Sequence, residues 1–248
     1  MKVSIITVSY NSEKTIEQTI FSVNNQTYSN IEHIFIDGHS SDNTVEIIRK
    51  KSKRDNLIIS EKDKGIYDGM NKGLKYSNGD LIFILNSDDV FFSLNTVSKV
   101  VKEFETDKKL MILYGHIVFS KNNDLSKIIR KWKSSEYFNG SFKRGWHPPH
   151  PGFVVKKTVY EKYGNFDLNF KIAADYELMF RFIEEHRVKS KFYDDYIAIL
   201  RYGGESTKVK GIYQTMKDLL GIYRKHNFKS SLFLITKRYL NKALQLIK

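Results

Sequence analysis

The stretch Gly79-Asp-Leu-Ile-Phe-Ile-Leu-Asn-Ser-Asp-Asp89 decides how the rest of the chain is read. From Leu81 to Leu85 it is apolar without alternation, the pattern of a strand covered on both faces within a parallel sheet. The run ends abruptly in two adjacent carboxylates, Asp88 and Asp89. Ligands of open α/β sheets gather at the carboxyl ends of strands, so the pair stands where a ligand binds. Adjacent carboxylates repel one another unless a cation or strong donors neutralise them, and a divalent metal carrying a phosphorylated substrate does so. The alternative is structural: the pair caps the next helix, with Ser93 or Asn95 sharing that work.

Working outward, strand-like and helix-like patterns alternate through the first half in the βαβ manner. Strands are expected at Val3 to Ser9, Ile31 to Asp37, Leu57 to Ser60, Leu81 to Leu85 and Met111 to Phe119. Helices are expected where Ile16, Ile20 and Val23 recur after a capping Ser12, where Val45, Ile47 and Ile48 follow Ser41 or Asp42, and over Tyr67 to Tyr76. Each of the first four strands then ends in a polar cluster, and four such clusters on one sheet edge line a single cleft. The second half is less regular. Ser134 to Gly152 holds all three prolines and reads as a long loop, a helix is expected from Ala174 to His186, and a strand from Tyr196 to Tyr202.

At 248 residues and 41% hydrophobic, the chain can bury a full core in one large α/β domain, with or without a tail. There is no apolar run of about 18 residues and no signal-peptide pattern before the first strand, so a cytoplasmic protein is expected. With no cysteine, any metal must be held by carboxylate, histidine and water, which favours Mg²⁺ or Mn²⁺ over structural zinc. The net charge of +13 invites a nucleic-acid reading, but residues 208–248 hold ten Lys or Arg against the single acid Asp218. That segment carries +9, leaving +4 for residues 1–207. On a helical wheel of Leu232 to Lys248, the apolar residues share one half and Lys237, Arg238, Lys242 and Lys248 the other. Such a helix either anchors on an anionic membrane surface or docks on the core with its basic face in water.

Five motifs in order now carry a resemblance: Val3-Ser-Ile-Ile-Thr-Val-Ser-Tyr-Asn11, Ile36-Asp-Gly-His-Ser-Ser-Asp-Asn-Thr44, Asp63-Lys-Gly-Ile-Tyr-Asp-Gly-Met-Asn-Lys-Gly73, Asn86-Ser-Asp-Asp89 and Ala174-Asp-Tyr-Glu177. Together, over residues 1–207, they resemble the family 2 glycosyltransferases of GT-A fold, notably those of bacterial polysaccharide synthesis (O-antigen, capsule, exopolysaccharide). The resemblance implies a Rossmann-like, mostly parallel sheet flanked by helices. It divides the domain into a nucleotide-binding half, 1–110, and an acceptor-binding half, 111–207, followed by the basic helical extension 208–248.

The family's roles, carried over position by position, give Ser9, Tyr10 and Asp37 to the nucleotide, with the base contact falling on Asp37 or on Asp63. Structurally, Asp37 can instead cap the helix near Ser41. The fold's Asp-x-Asp signature corresponds to Asn86-Ser87-Asp88, which makes Asp88 the preferred metal ligand and Asp89 a second ligand or a sugar contact. Lys64 is placed to approach the diphosphate or to remain a solvated lysine. Asp175 resembles the catalytic base, which removes the acceptor hydroxyl proton as that oxygen attacks C1 opposite the leaving nucleotide. Its alternative is a carboxylate favoured by the helix dipole. His150 is expected on the acceptor or its phosphate, Trp146 on a sugar ring, and Ser206, in Gly204-Glu205-Ser206, on a closing loop.

These assignments amount to an inverting, Mn²⁺- or Mg²⁺-dependent transfer from a nucleotide-sugar donor, expected to be UDP-linked, to a glycan on a polyprenyl diphosphate. The protein would work at the inner face of the cell membrane and bind no nucleic acid. Two other classes compete: a nucleic-acid-binding protein acting through its tail, and a nucleotidyltransferase. The near-balanced charge of residues 1–207 argues against the first. The second needs a Gly-rich basic loop after the first strand, where this chain has Ser9-Tyr-Asn-Ser12.

Overall fold

A computed structural model describes residues 1–121, 124–203 and 209–227. β1 (Val3–Ser9), α1 (Ile16–Asn24), β2 (Ile31–Asp37), α2 (Thr44–Lys51), β3 (Asp55–Ser60), α3 (Ile66–Tyr76) and β4 (Leu81–Ile84) alternate as the sequence dictates. The four strands pair in parallel in the order β3-β2-β1-β4. β1, β2 and β4 are buried end to end. Along β1, Ile6 and Val8 enter a core shared with Met70 and Leu74 of α3, while Val3 and Ile5 enter a second core with Val97 and Val100. Covering on both faces is why these strands lack polar alternation. At Gly73 a Cβ would overlap the Ile6 side chain, so glycine there lets α3 lie directly on β1.

The remaining elements are β5 (Val90–Phe91), α4 (Thr96–Thr106), β6 (Ile112–Lys121), β7 (Asp124–Trp132), β8 (Phe153–Lys156), α5 (Lys157–Tyr163), α6 (Ala174–Met179), β9 (Ser190–Arg201) and α7 (Val209–Lys225). They continue the sheet as β4-β8-β6-β9-β5, with β7 paired to β6. β8 runs antiparallel to both β4 and β6, and β6 runs parallel to β9. One edge of the sheet therefore collects the carboxyl ends of β1, β2, β3, β4, β6 and β9 together with the amino end of β8.

Three local expectations change. The helix starting at Ala174 keeps α-geometry only to Met179 and continues as a π-helix over Phe180–Glu185. The wider turn accompanies Arg181, whose guanidinium holds Glu177 and donates to the carbonyls of Tyr163, Gly164 and Asn165. β9 begins at Ser190, ahead of Tyr196. Ser12 does not cap α1, which starts at Ile16; its hydroxyl donates to the Tyr10 carbonyl at 3.2 Å and meets Ser87 Oγ at 2.8 Å. Residues 209–227 of the extension pack on the core, with Leu219, Ile222 and Tyr223 buried beside Tyr176 and Phe180. The tail helix expected over Leu232 to Lys248 and the closing-loop residue Ser206 lie outside the described residues. Among the described residues no helix is long and apolar enough to cross a membrane.

Candidate active site

The β1 and β2 termini are locked to each other before any ligand arrives. Ser9 and Asp37 are register partners, and so are Asp37 and Ser60. The buried Asp37 carboxylate accepts from Ser9 Oγ (3.1 Å) and Ser40 Oγ (2.5 Å) on Oδ1, and from Ser40 N (2.8 Å) and Ser60 Oγ (2.8 Å) on Oδ2. Those bonds occupy its acceptor sites, so Asp37 organises the loops. Asn11 and His39, just beyond the two strands, both hold left-handed φ (47° and 67°), an uncommon conformation for residues other than glycine. The N-cap of α2 is Asn43 rather than the expected Ser41 or Asp42, and it makes no side-chain cap bond; the Asp42 carboxylate, one residue earlier, accepts from Thr44 N (3.0 Å).

Beside this frame Tyr10 is 66% exposed. A Cβ placed on Gly38 would sit 3.4 Å from the Tyr10 ring and only 2.8 Å from Asp63 Oδ2. Asp63 is half-buried and accepts from Gly65 N through Oδ1 (2.9 Å), with Oδ2 against Gly38. Tyr10, Gly38 and Asp63 thus form one wall combining an aromatic face, bare backbone and a carboxylate edge. Lys64 stands exposed on the same loop.

At the end of β4, Asp89 is 3% exposed and Asp88 half-buried. Burial raises the pKa of both, and for Asp89 the neighbouring charge of Asp88 adds to it. The Arg201 guanidinium at the end of β9 pulls both back down. Asn86 Nδ2 reaches Asp89 Oδ2 at 3.4 Å, while Asn86 Oδ1 is buried without a hydrogen-bond partner among the described residues. An orphaned amide oxygen beside two desolvated carboxylates is an oxygen-only donor set, which suits a hard divalent cation completing its shell with phosphate and water. No cluster of three or more His, Asp or Glu side chains able to hold a metal occurs among the described residues. A cation here would therefore depend on the substrate for ligands.

The third group forms where α3 and α6 meet the amino end of β8. Asp175, half-buried in the first turn of α6, accepts from Tyr176 N (2.8 Å) and from the Tyr67 hydroxyl (3.1 Å), both through Oδ1. The Tyr67 proton is shared with the Ile172 carbonyl at 2.6 Å, and burial holds the Tyr67 pKa well above its usual value, with the Asp175 charge adding to it. His150 is buried against the Phe166 ring, 5.5 Å between centroids. Burial lowers its pKa and Asp175 works in the opposite direction. Trp146 donates to Ser135 Oγ (2.9 Å) and packs among Tyr114, Tyr137 and Phe142, so it is half-buried within an aromatic cluster.

Residues 4–164 match the family described as Glycosyl transferase family 2. This chain belongs to that family. It is therefore a glycosyltransferase, and its residues 4–164 span β1 through α5. An uncharacterized glycosyltransferase of Mycobacterium tuberculosis is 33% identical over 181 residues, 72% of this chain and 68% of the relative. A UDP-Glc:alpha-D-GlcNAc-diphosphoundecaprenol beta-1,3-glucosyltransferase, WfgD, of Escherichia coli is 35% identical over 124 residues, half of this chain and 48% of the relative. A mannosyltransferase of Pyrobaculum calidifontis, solved with GDP-Man and Mn²⁺, superimposes with a TM-score of 0.65 at 17% identity, covering 96% of this chain and 69% of that one. Staphylococcus aureus TarS gives 0.64 at 17% identity over 97% of this chain but only 43% of its own. At those identities the likeness shows the shared GT-A fold.

The residues singled out from the sequence lie along this edge in three groups, with Ser9, Tyr10, Asp37, Asp63 and Lys64 at the ends of β1, β2 and β3, Asp88 and Asp89 after β4, and Asp175 and His150 where α3 and α6 meet the amino end of β8. Sequence reasoning did not single out Tyr67, although it lies within the quoted Asp63 to Gly73 motif. Arg201 likewise lies inside an expected strand, where no local pattern marks it. Asp218 stands out in the sequence only as the lone acid of a basic segment.

Proposed function

We propose that this family 2 glycosyltransferase performs an inverting transfer from a nucleotide-sugar donor, UDP-linked, to a hydroxyl of a lipid-diphosphate-linked glycan in cell-surface polysaccharide synthesis. The observation carrying this reading is that Asp175 comes to the same sheet edge as the desolvated Asp88 and Asp89. Tyr10 and the Gly38 backbone receive the base, with Asp63 Oδ2 accepting its N–H and Ser9 beside the ribose. Asp88, Asp89 and Asn86 Oδ1 are the residues that would hold Mn²⁺ or Mg²⁺, which supplies charge neutralisation for the leaving diphosphate. Asp175 takes the acceptor proton, its Oδ1 held by Tyr67 and Tyr176. His150 lies close enough to feel the charge of Asp175 and forms the acceptor-side wall. The lipid-linked acceptor follows the name of the E. coli relative, and the cationic residues 208–248 favour work at an anionic membrane surface.

Thermal unfolding with Mn²⁺ against UDP-, GDP-, CDP- and dTDP-sugars tests the donor. A ligand at 100 times its Kd stabilises by about 2.7 kcal/mol. A metal-dependent rise confined to the UDP-sugars is expected, and the productive donor is then assayed with a lipid-diphosphate-linked N-acetylglucosamine acceptor. Asp88→Ala is expected to abolish turnover at saturating donor. Near wild-type turnover in that variant would remove Asp88 from the mechanism.

A further inference from the structure

We infer that Asp218, from the basic C-terminal extension, is a positioning residue for Asp175; the inference rests on reading Asp175 as the base. α6 begins at Ala174, and Ala173 before it has no polar side-chain atom with which to cap the helix. The first N–H groups of a helix need partners from elsewhere. A carboxylate on α7 supplies one: Asp218 Oδ2 accepts from Ile172 N at 2.7 Å and Ala173 N at 3.1 Å. Its Oδ1 accepts from Gln214 Nε2 at 2.7 Å, and the residue is 3% exposed.

The same turn is held from its other side. The Tyr67 hydroxyl of α3 binds the Ile172 carbonyl at 2.6 Å and lies 3.1 Å from Asp175 Oδ1. Residues 172 and 173 are therefore gripped through their N–H groups by α7 and through a carbonyl by α3, immediately before the base. One turn along α6, Glu177 accepts from Lys225 (2.8 Å), and His226 Nε2 lies 3.1 Å from the same oxygen, so α7 holds α6 at a second point. Removing the Asp218 carboxylate frees the backbone that sets where Asp175 stands. A misplacement of about 1 Å in a reacting group is enough to lower turnover by roughly 100-fold. Docking of the extension and competence of the base are thereby linked.

The test is steady-state transfer by Asp218→Ala and Asp218→Asn, using the donor selected by the thermal screen, at a temperature where circular dichroism shows each variant folded. For Asp218→Ala the expected result is a fall in kcat of about 10- to 100-fold with the donor KM within about twofold, because the Tyr10–Asp63 wall is untouched. Asp218→Asn, which keeps one acceptor oxygen, should fall less. A folded Asp218→Ala with wild-type kcat overturns the inference, as does a loss matched by the unfolded fraction or shared equally by donor KM. If Asp218→Ala does not fold, Asp218→Asn decides by the same criteria. Asp175→Asn separates the two ideas. Retained kcat in that variant removes the base itself, whereas lost kcat there with normal Asp218 variants removes only the positioning role.

Discussion

Asp37 and Asp63 are both carboxylates at strand ends, yet their surroundings set them different tasks. Asp37 is buried and saturated by Ser9, Ser40 and Ser60, whereas Asp63 is half-buried with Oδ2 turned to Gly38. Asp37→Asn exchanges an acceptor oxygen for a donor facing other donors, at a cost of roughly 1.5–3 kcal/mol. For a chain of this length that corresponds to a Tm lower by about 3–12 °C. Asp63→Asn is expected to unfold within about 2 °C of wild type but to bind UDP about tenfold more weakly by titration calorimetry. Unchanged UDP affinity in Asp63→Asn would return the base contact to Asp37. The sequence left that choice open because both residues satisfy the same chemistry; only the count of internal bonds separates them. Asp218 was visible as the lone acid among ten cations, but its use depends on a turn 46 residues earlier that no local pattern reveals.

At the scale of elements, legibility followed the regularity of burial. β1, β2 and α3 were read almost to the residue because their apolar positions face continuous cores. β9 starts at Ser190, ahead of the expected Tyr196, and carries two adjacent acids, Asp194 and Asp195. Within the strand, Asp194 Oδ1 meets His116 Nε2 at 2.8 Å and Asp195 accepts from Lys99 at 3.0 Å, so both acids are tolerated. β7 is a lysine-bearing strand that pairs with β6 alone among the described residues, and it shows little apolar alternation. The α6–α7 contact gives an element-scale prediction through Glu177, which is fully buried between Arg181, Lys225 and His226. Burial opposes its ionisation, yet hydrogen bonds from His226, Arg181 and Lys225 outweigh that and bring its pKa down to about 2, against 4.5 ordinarily. A lowered native pKa means the stabilisation is complete above pH 4.5 and is lost as pH falls towards 2. Its size is roughly 3 kcal/mol. Urea unfolding from pH 6 to pH 3 should show a stability slope that Glu177→Gln flattens; an equal slope in both proteins assigns acid lability to other carboxylates.

Over the whole molecule, charge gathers in two places: carboxylates at one edge of the sheet, and, in the sequence, cations in residues 208–248. The first half of the extension is part of the folded unit, because α7 buries Leu219, Ile222 and Tyr223 in the main core. A chain cut at 207 would therefore expose that core, and the informative cut falls after 227. Residues 228–248 carry five Lys or Arg and no acid, so a chain ending at 227 keeps +8 of the +13. Each basic residue near an anionic bilayer contributes about 1 kcal/mol, so losing five weakens attraction by up to roughly 5 kcal/mol. In co-sedimentation, the full chain should pellet with vesicles containing phosphatidylglycerol and remain in solution with neutral ones. The chain ending at 227 should lose at least about 100-fold in partitioning while keeping its Tm and its thermal response to UDP-sugar, because it retains α7 and every residue assigned to the cleft. Equal partitioning by the two chains would place the attraction elsewhere. If the shortened chain instead held salt-sensitive retention on nucleic acid, the basic surface would have a different partner altogether.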